Sequence, residues 1–198
     1  MNNLFIEGPI QTGKSTTIRS VLKERFGSDL EGVAGFTSQR VTNLNGQLLA
    51  FRLAPAAEDI SIVLDIKPEP VFVRDVLNNV FKWFAPDGTH VDMRVFETAG
   101  VAYMKNAQTD VKSGRAQIVL LDEIGGHELA SDVFRHELYE LLDSDIPCVG
   151  VIKSRDNTRN MDPTLLAFNE ELHNRISAVT GLQLFESRLR QFLENELS

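Results

Sequence analysis

The chain has 198 residues, 42% of them hydrophobic and 24% charged. That is enough for one domain, residues 1–198, to bury on the order of 70% of the surface its unfolded chain exposes, with no need of disulfides or a structural metal. Its 20 Lys and Arg against 28 Asp and Glu give a net charge of −8, so no general attraction draws it to nucleic acid or an anionic membrane, and any polyanion it binds must be held locally. The lone cysteine, Cys148, lies in an apolar stretch, the first residues lack a basic leader, and no apolar run approaches the roughly 18 residues that span a bilayer. Together these features predict a cytoplasmic protein with neither nucleic acid nor membrane as a partner.

In chain order, Leu4-Phe5-Ile6 predicts a short buried strand, followed by a glycine-containing loop and a helix on which Ile18, Val21, Leu22 and Phe26 share a face. Val33 to Val41 and Gln47 to Leu53 read as two strands of a β-hairpin, because Asn45-Gly46 accepts the positive φ of a tight turn. A short strand is predicted at Ser61 to Asp65. After Pro68-Glu69-Pro70, the spacing of Val73, Val76, Leu77, Val80, Phe81 and Phe84 predicts a helix that ends at Pro86. Asp87-Gly88 makes a turn, Val91 to Phe96 is a candidate strand, and Ala99 to Lys112 a helix with Gly114 at its C-terminal end.

The continuous apolar run Ile118 to Leu121, closed by Asp122-Glu123, suits a strand buried on both faces of a parallel sheet, with its carboxylates at the C-terminal edge. Ser131 caps a helix to about Leu142, Pro147 to Ile152 is the next buried strand, and Asp162-Pro163 starts a helix to about Ala178. A run at Leu182 to Phe185 and an amphipathic helix from Glu186 to Leu197 complete the chain. The alternation predicts an α/β fold with a mostly parallel sheet flanked by helices and an inserted β-hairpin.

Gly8-Pro9-Ile10-Gln11-Thr12-Gly13-Lys14-Ser15 matches G-x-x-x-x-G-K-[ST], between a predicted strand and a predicted helix as the motif requires. The chemistry dictates the spacing: inward-pointing amides form a nest for phosphate, the helix N-terminus adds partial positive charge, and glycine lets backbone approach the oxygens. Lys14 is expected at the β- and γ-phosphates, Ser15 on Mg²⁺ and Thr16 near the α-phosphate. Asp122 reads as the carboxylate that holds Mg²⁺ with Ser15, and Glu123 as the base that activates water. The expected reaction is Mg²⁺-dependent hydrolysis of a nucleoside triphosphate to diphosphate and phosphate, with Lys14 and Glu123 catalytic. A small-molecule or nucleotide kinase, and a nucleotide-dependent binding switch with slow hydrolysis, stay open as alternatives. No protein partner is readable.

Gly8 to Ser15, Gly35-Phe36-Thr37-Ser38-Gln39-Arg40, and Leu121 to Gly125 with Glu128-Leu129 and Ser131 together resemble the thermophile-type, or cancer-related, nucleoside-triphosphatase family. The likeness extends over most of the chain. It implies a P-loop domain of the additional-strand, catalytic-glutamate type, loose base preference, and Mg²⁺ as cofactor. The chain departs from that pattern at Gly126-His127, at Ser38-Gln39, and over about 68–92, which reads as a divergent insertion.

Weaker signals flank the motif. Arg155, just after the strand that follows the acidic pair, is a candidate cationic contact to the γ-phosphate, and His127 lies four residues after Glu123. Arg40 and Arg52 fit equally a half-exposed hairpin. Glu97-Thr98-Ala99-Gly100 lacks the aspartate of a GTPase switch, and His90, His127, His136 and His173 have no metal-ligand spacing. Trp83 with Phe72, Phe81 and Phe84 suits the core face of a helix.

Overall fold

The computed structural model describes residues 2–65, 73–154 and 162–197. Each strand of the central parallel group is apolar nearly throughout, because both of its faces are covered. β1 (Asn3–Glu7) alternates its side chains between two cores: Leu4 and Ile6 face one, Phe5 the other. The Leu4/Ile6 face is closed by α1 (Lys14–Phe26) through Ile18, Val21 and Leu22, and by a C-terminal helix through Phe185, Leu189 and Leu193. The opposite face is built on Phe36 of the sheet, Phe96, and Met104, Phe134 and Leu172 from three helices that follow it in the chain.

β2 (Val33–Asn43) and β3 (Leu48–Pro55) form an antiparallel pair, and β4 (Ser61–Leu64) runs parallel to the far end of β2 from Arg40 to Asn43. α2 (Val73–Val76) is a single turn, followed by β5 (Val80–Ala85) and β6 (Gly88–Val91), antiparallel to each other, with β5 antiparallel to β3. A π-helical turn at Phe96–Gly100 leads directly into α3 (Val101–Lys112). Then come β7 (Ile118–Ile124), a 3₁₀ turn at His127–Ala130, α4 (Asp132–Leu142), β8 (Cys148–Ile152), α5 (Pro163–Asn174), β9 (Ala178–Thr180) and α6 (Leu182–Glu196).

Among the described residues the strands form one sheet in the order β6-β5-β3-β2-β7-β8-β1-β9, with β4 paired to β2. From β2 to β9 all neighbours are parallel, and β8 lies between β1 and β7. The β7–β8 spacing requires glycine at Gly150: a Cβ there would stand 2.1 Å from the Leu121 carbonyl oxygen and 2.6 Å from Phe5 Cε1.

Three expectations are corrected. The helix predicted from Val73 to Phe84 lasts one turn, because Asn79 takes a left-handed φ of 59° and the aromatic, β-branched segment after it pairs with β3 and β6. Trp83 therefore stacks on His90 across a strand pair, at 5.2 Å, with the Arg74 guanidinium 4.6 Å from its ring, while Phe72 lies outside the described residues. The candidate strand Val91 to Phe96 stops at Val91. Phe96 opens a helical run instead, its ring 4.8 Å from Phe81 and 5.6 Å from Phe134. Finally, α5 ends at Asn174, the last strand is Ala178–Thr180, and Leu182 to Phe185 is the first turn of α6, started by Gly181 at φ 89°.

Candidate active site

The phosphate loop owes its position to β1, which ends at Glu7 between β8 and β9, and to α1, which begins at Lys14. Gly13 caps α1 at φ 87°, a conformation strained for any residue with a Cβ. No side chain caps this helix and no acidic residue occupies its first turn, so its leading amides and dipole are left for an anion. Lys14 is buried, its Nζ donating to the carbonyls of Gly8 (3.1 Å) and Pro9 (2.5 Å), and Thr12 Oγ1 donates to the Pro9 carbonyl at 3.0 Å. Ile10, Gln11 and Thr16 are exposed around this cradle. A cavity of about 500 Å³ borders the loop, with Glu7, Lys14, Ser154, Thr180 and Leu182 in its wall.

β7 brings the acidic pair to the loop. Ser15 Oγ donates to Asp122 Oδ1 at 2.9 Å, and Thr37 Oγ1 donates to Asp122 Oδ2 at 3.1 Å. The Thr37 contact follows from strand register, since Thr37 pairs with Asp122 in the parallel β2–β7 ladder. Asp122 is 3% exposed, and burial pushes its carboxyl up to about 6, with the Ser15 and Thr37 hydroxyls pulling it down and Glu123 pushing it up. Arg19 of α1 also acts on Asp122, but its guanidinium is committed to the loop after β3, donating to the carbonyls of Ala56 (2.8 Å), Ala57 (3.4 Å) and Glu58.

Glu123 lies next to Asp122, its amide donating to Ser38 Oγ at 3.5 Å. Burial raises its carboxyl above the usual range, and Lys153 is the largest opposing influence, with Glu128 adding to the rise and Lys14 opposing it. Beyond Ile124 the chain turns at Gly125-Gly126. Asn169 of α5, itself buried, donates to the Gly125 carbonyl at 2.9 Å, the Lys153 amide donates to the Ile124 carbonyl at 2.8 Å, and the Gly126 amide donates to Glu128 Oε1 at 2.6 Å.

The structure thus brings Gly8 to Thr16, Asp122 and Glu123 to one edge of the sheet. His127 is exposed on the 3₁₀ turn; partial burial holds its imidazole below the usual value, with Lys153 lowering it further. Arg155 lies outside the described residues. Arg52 is engaged elsewhere, its Nε donating to Gln39 Oε1 at 2.5 Å and its guanidinium paired with Glu58. Thr37, Lys153, Glu128 and Asn169 were not singled out as site residues from sequence. Thr37 is one of several polar residues in β2 and is marked out only by its register against Asp122, and the other three likewise depend on contacts between distant segments.

The donor set suits Mg²⁺. One carboxylate and one hydroxyl, both oxygen, face the loop that would present phosphate oxygens, and Mg²⁺ is usually held by one or two carboxylates, waters and substrate phosphates. Among the described residues no group of three or more His, Cys, Asp or Glu forms a cage that would bind a metal unaided.

A glycine-rich loop joining β1 to α1, a buried aspartate on β7 bonded to that loop's serine, and parallel strands carrying both define an α/β fold of the P-loop NTPase kind. The chain belongs to the NTPase family, whose family model matches residues 3–181. Its structure is similar to the crystal structure of THEP1 from the hyperthermophile Aquifex aeolicus, with a TM-score of 0.63 and 19% identity over 99% of each chain. That likeness extends to the fold. No curated protein sequence matches the chain. Among the described residues, no helix is long and apolar enough to cross a membrane.

Proposed function

We propose that the protein hydrolyses Mg²⁺-bound nucleoside triphosphates to the diphosphate and phosphate. The observation that carries this reading is the 2.9 Å hydrogen bond from Ser15 to Asp122, which joins the phosphate loop to the end of β7 and sets Glu123 beside the same edge. The loop amides from Gly8 to Ser15 bind the phosphates, and Lys14 exchanges its bonds to Gly8 and Pro9 for the β- and γ-phosphate oxygens. Ser15 and Asp122 would hold Mg²⁺, which when bound neutralises charge on the phosphates. Glu123, made more basic by burial, takes a proton from water as that oxygen bonds to the γ-phosphorus and the bond from phosphorus to the bridging oxygen breaks. The electron pair leaves on the diphosphate.

Broad base preference belongs to the same proposal. It rests on the family resemblance carried by Gly8 to Ser15, Gly35 to Arg40 and Leu121 to Gly125. The test is phosphate release from ATP, GTP, CTP and UTP by the native protein, Glu123→Gln and Lys14→Ala. Turnover should collapse in Glu123→Gln while nucleotide still binds, and both should fail in Lys14→Ala. A phosphorylated acceptor in place of free phosphate would instead make the protein a kinase.

A further inference from the structure

The cavity beside the phosphate loop carries a charge of the wrong sign for phosphate. Glu7, the last residue of β1, stands in its wall together with Lys14, and the Glu7 side chain is 22% exposed. A carboxylate there repels the oxygens that the loop and Lys14 attract. Among the described residues its one polar contact is with Nε2 of His173, at 3.9 Å, which is beyond hydrogen-bond reach. That nitrogen lies nearer the Lys153 carbonyl oxygen, at 3.4 Å. A largely buried carboxylate normally accepts several hydrogen bonds, so Glu7 is short of donors where the cavity begins.

Strand register sets what stands beside it. Glu7 pairs with Thr180 in the parallel β1–β9 ladder, so both side chains leave the same face of the sheet at its carboxyl edge, and Thr180 is also in the cavity wall. Gly8, Pro9 and Lys14 belong to that wall too, so the space opens directly from the loop. A nucleotide whose phosphates lie on the loop amides extends its nucleoside into it. The donors that every ribonucleoside triphosphate brings there, whatever its base, are the sugar hydroxyls. Two carboxylate oxygens match the neighbouring 2′- and 3′-hydroxyls of ribose, a use that dinucleotide-binding folds also make of an acidic side chain.

We propose that Glu7, with Thr180 beside it, reads the sugar of the nucleotide: its carboxylate accepts from the ribose hydroxyls, and the protein therefore selects ribonucleotides over 2′-deoxyribonucleotides. This rests on the phosphate loop binding a nucleoside triphosphate. It gives the proposed hydrolysis a sugar preference that comes from outside the loop motif, and it explains why a carboxylate is placed next to a polyphosphate site.

The test is equilibrium binding of ATP, 2′-deoxy-ATP and inorganic tripolyphosphate, each with Mg²⁺, to the native protein, Glu7→Gln and Glu7→Ala, with thermal unfolding and steady-state turnover measured alongside. The native protein should bind ATP about 10-fold or more tighter than 2′-deoxy-ATP, the scale of one hydrogen bond to a charged group. In Glu7→Ala that ratio should fall to about one, through weaker binding of ATP, and Glu7→Gln should lie between, since an amide oxygen accepts without the charge. Where turnover is seen, the preference should appear in KM rather than kcat. Tripolyphosphate has no hydroxyl for Glu7 and meets only its charge, so it should bind more tightly to both variants than to the native protein, a gain that loss of a purely structural residue would not produce.

Equal affinity of the native protein for ATP and 2′-deoxy-ATP overturns the inference. So does a parallel loss of ATP, 2′-deoxy-ATP and tripolyphosphate in Glu7→Ala, since Glu7 would then be supporting the loop. A native protein that binds neither nucleotide removes the nucleotide site and this role with it. Sugar discrimination without release of phosphate refutes the hydrolase reading alone and leaves the role of Glu7 standing.

Discussion

Replacing Asp122 with asparagine should make the protein more stable at neutral pH while abolishing turnover. Burial lifts the native carboxyl from 3.8 to about 6, so in the folded state it holds its proton more tightly than in the unfolded chain. Between those two values the native state carries more protons, and stability falls as pH rises; above about 6 the whole penalty is present. Two pH units are worth about 3 kcal/mol, and the same linkage leaves about 1 kcal/mol at pH 4.5. Asparagine has no charge to bury, keeps an oxygen for Ser15 and offers an amide to Thr37. The stability advantage of Asp122→Asn over the native protein should therefore widen by about 2 kcal/mol from pH 4.5 to pH 8. Urea unfolding of both proteins with chelator and no nucleotide measures this, and taking the difference between them cancels the titrating groups that do not interact with Asp122. An advantage that does not grow with pH, or a variant less stable than the native protein at pH 8, would refute the reasoning.

Other perturbations follow from contacts already described. Gly150→Ala puts a Cβ against the Leu121 carbonyl and Phe5, and the forced separation of β7 from β8 should cost about 1–3 kcal/mol in denaturant unfolding. Arg19→Met strands the carbonyls of Ala56, Ala57 and Glu58; it should lose on the order of 2 kcal/mol, and hydrogen exchange should quicken first in the loop after β3. Thr37→Val removes one of two hydroxyls that favour the charged Asp122, so the fall in stability with rising pH should steepen and extend to higher pH, read by the same urea series. Cys148, fully buried with its thiol pushed up to about 12, should resist alkylation at pH 8 until the protein unfolds.

The parts legible in the sequence are those whose chemistry is local. The loop from Gly8 to Ser15 is set by what backbone must do around phosphate, and β7 and β8 are so uniformly apolar that few other structures would accept them. β5 is illegible for a physical reason: Val80, Phe81, Trp83 and Phe84 put apolar side chains on both faces of a strand, and read with Val73, Val76 and Leu77 they imitate a 3.6-residue repeat. Only the left-handed Asn79 separates the two regimes, and nothing in its neighbours announces that conformation. Thr37 needed the β2–β7 register, and the meeting of Lys153 with Gly126 needed β8 to be placed beside β7. Position 126 looks in the sequence like an ordinary turn glycine, yet a Cβ there would stand 2.2 Å from Nζ of Lys153, 27 residues further along the chain.

The sheet order also dictates a schedule. Asn3 pairs with Cys148, and Phe5 with Ala178, so β1 has no neighbour until most of the polypeptide exists. β2, β3 and β7 can assemble earlier, since each finds a partner closer in sequence. At roughly 5–20 residues per second, a nascent chain leaves both edges of the apolar β1 without a partner strand for on the order of ten seconds. Ribosome-arrested chains that stop short of Cys148 contain every residue of the phosphate loop and should still fail to retain a nucleotide. The segment translated early is thus the one completed late, and during that interval it is the natural place for a chaperone to bind.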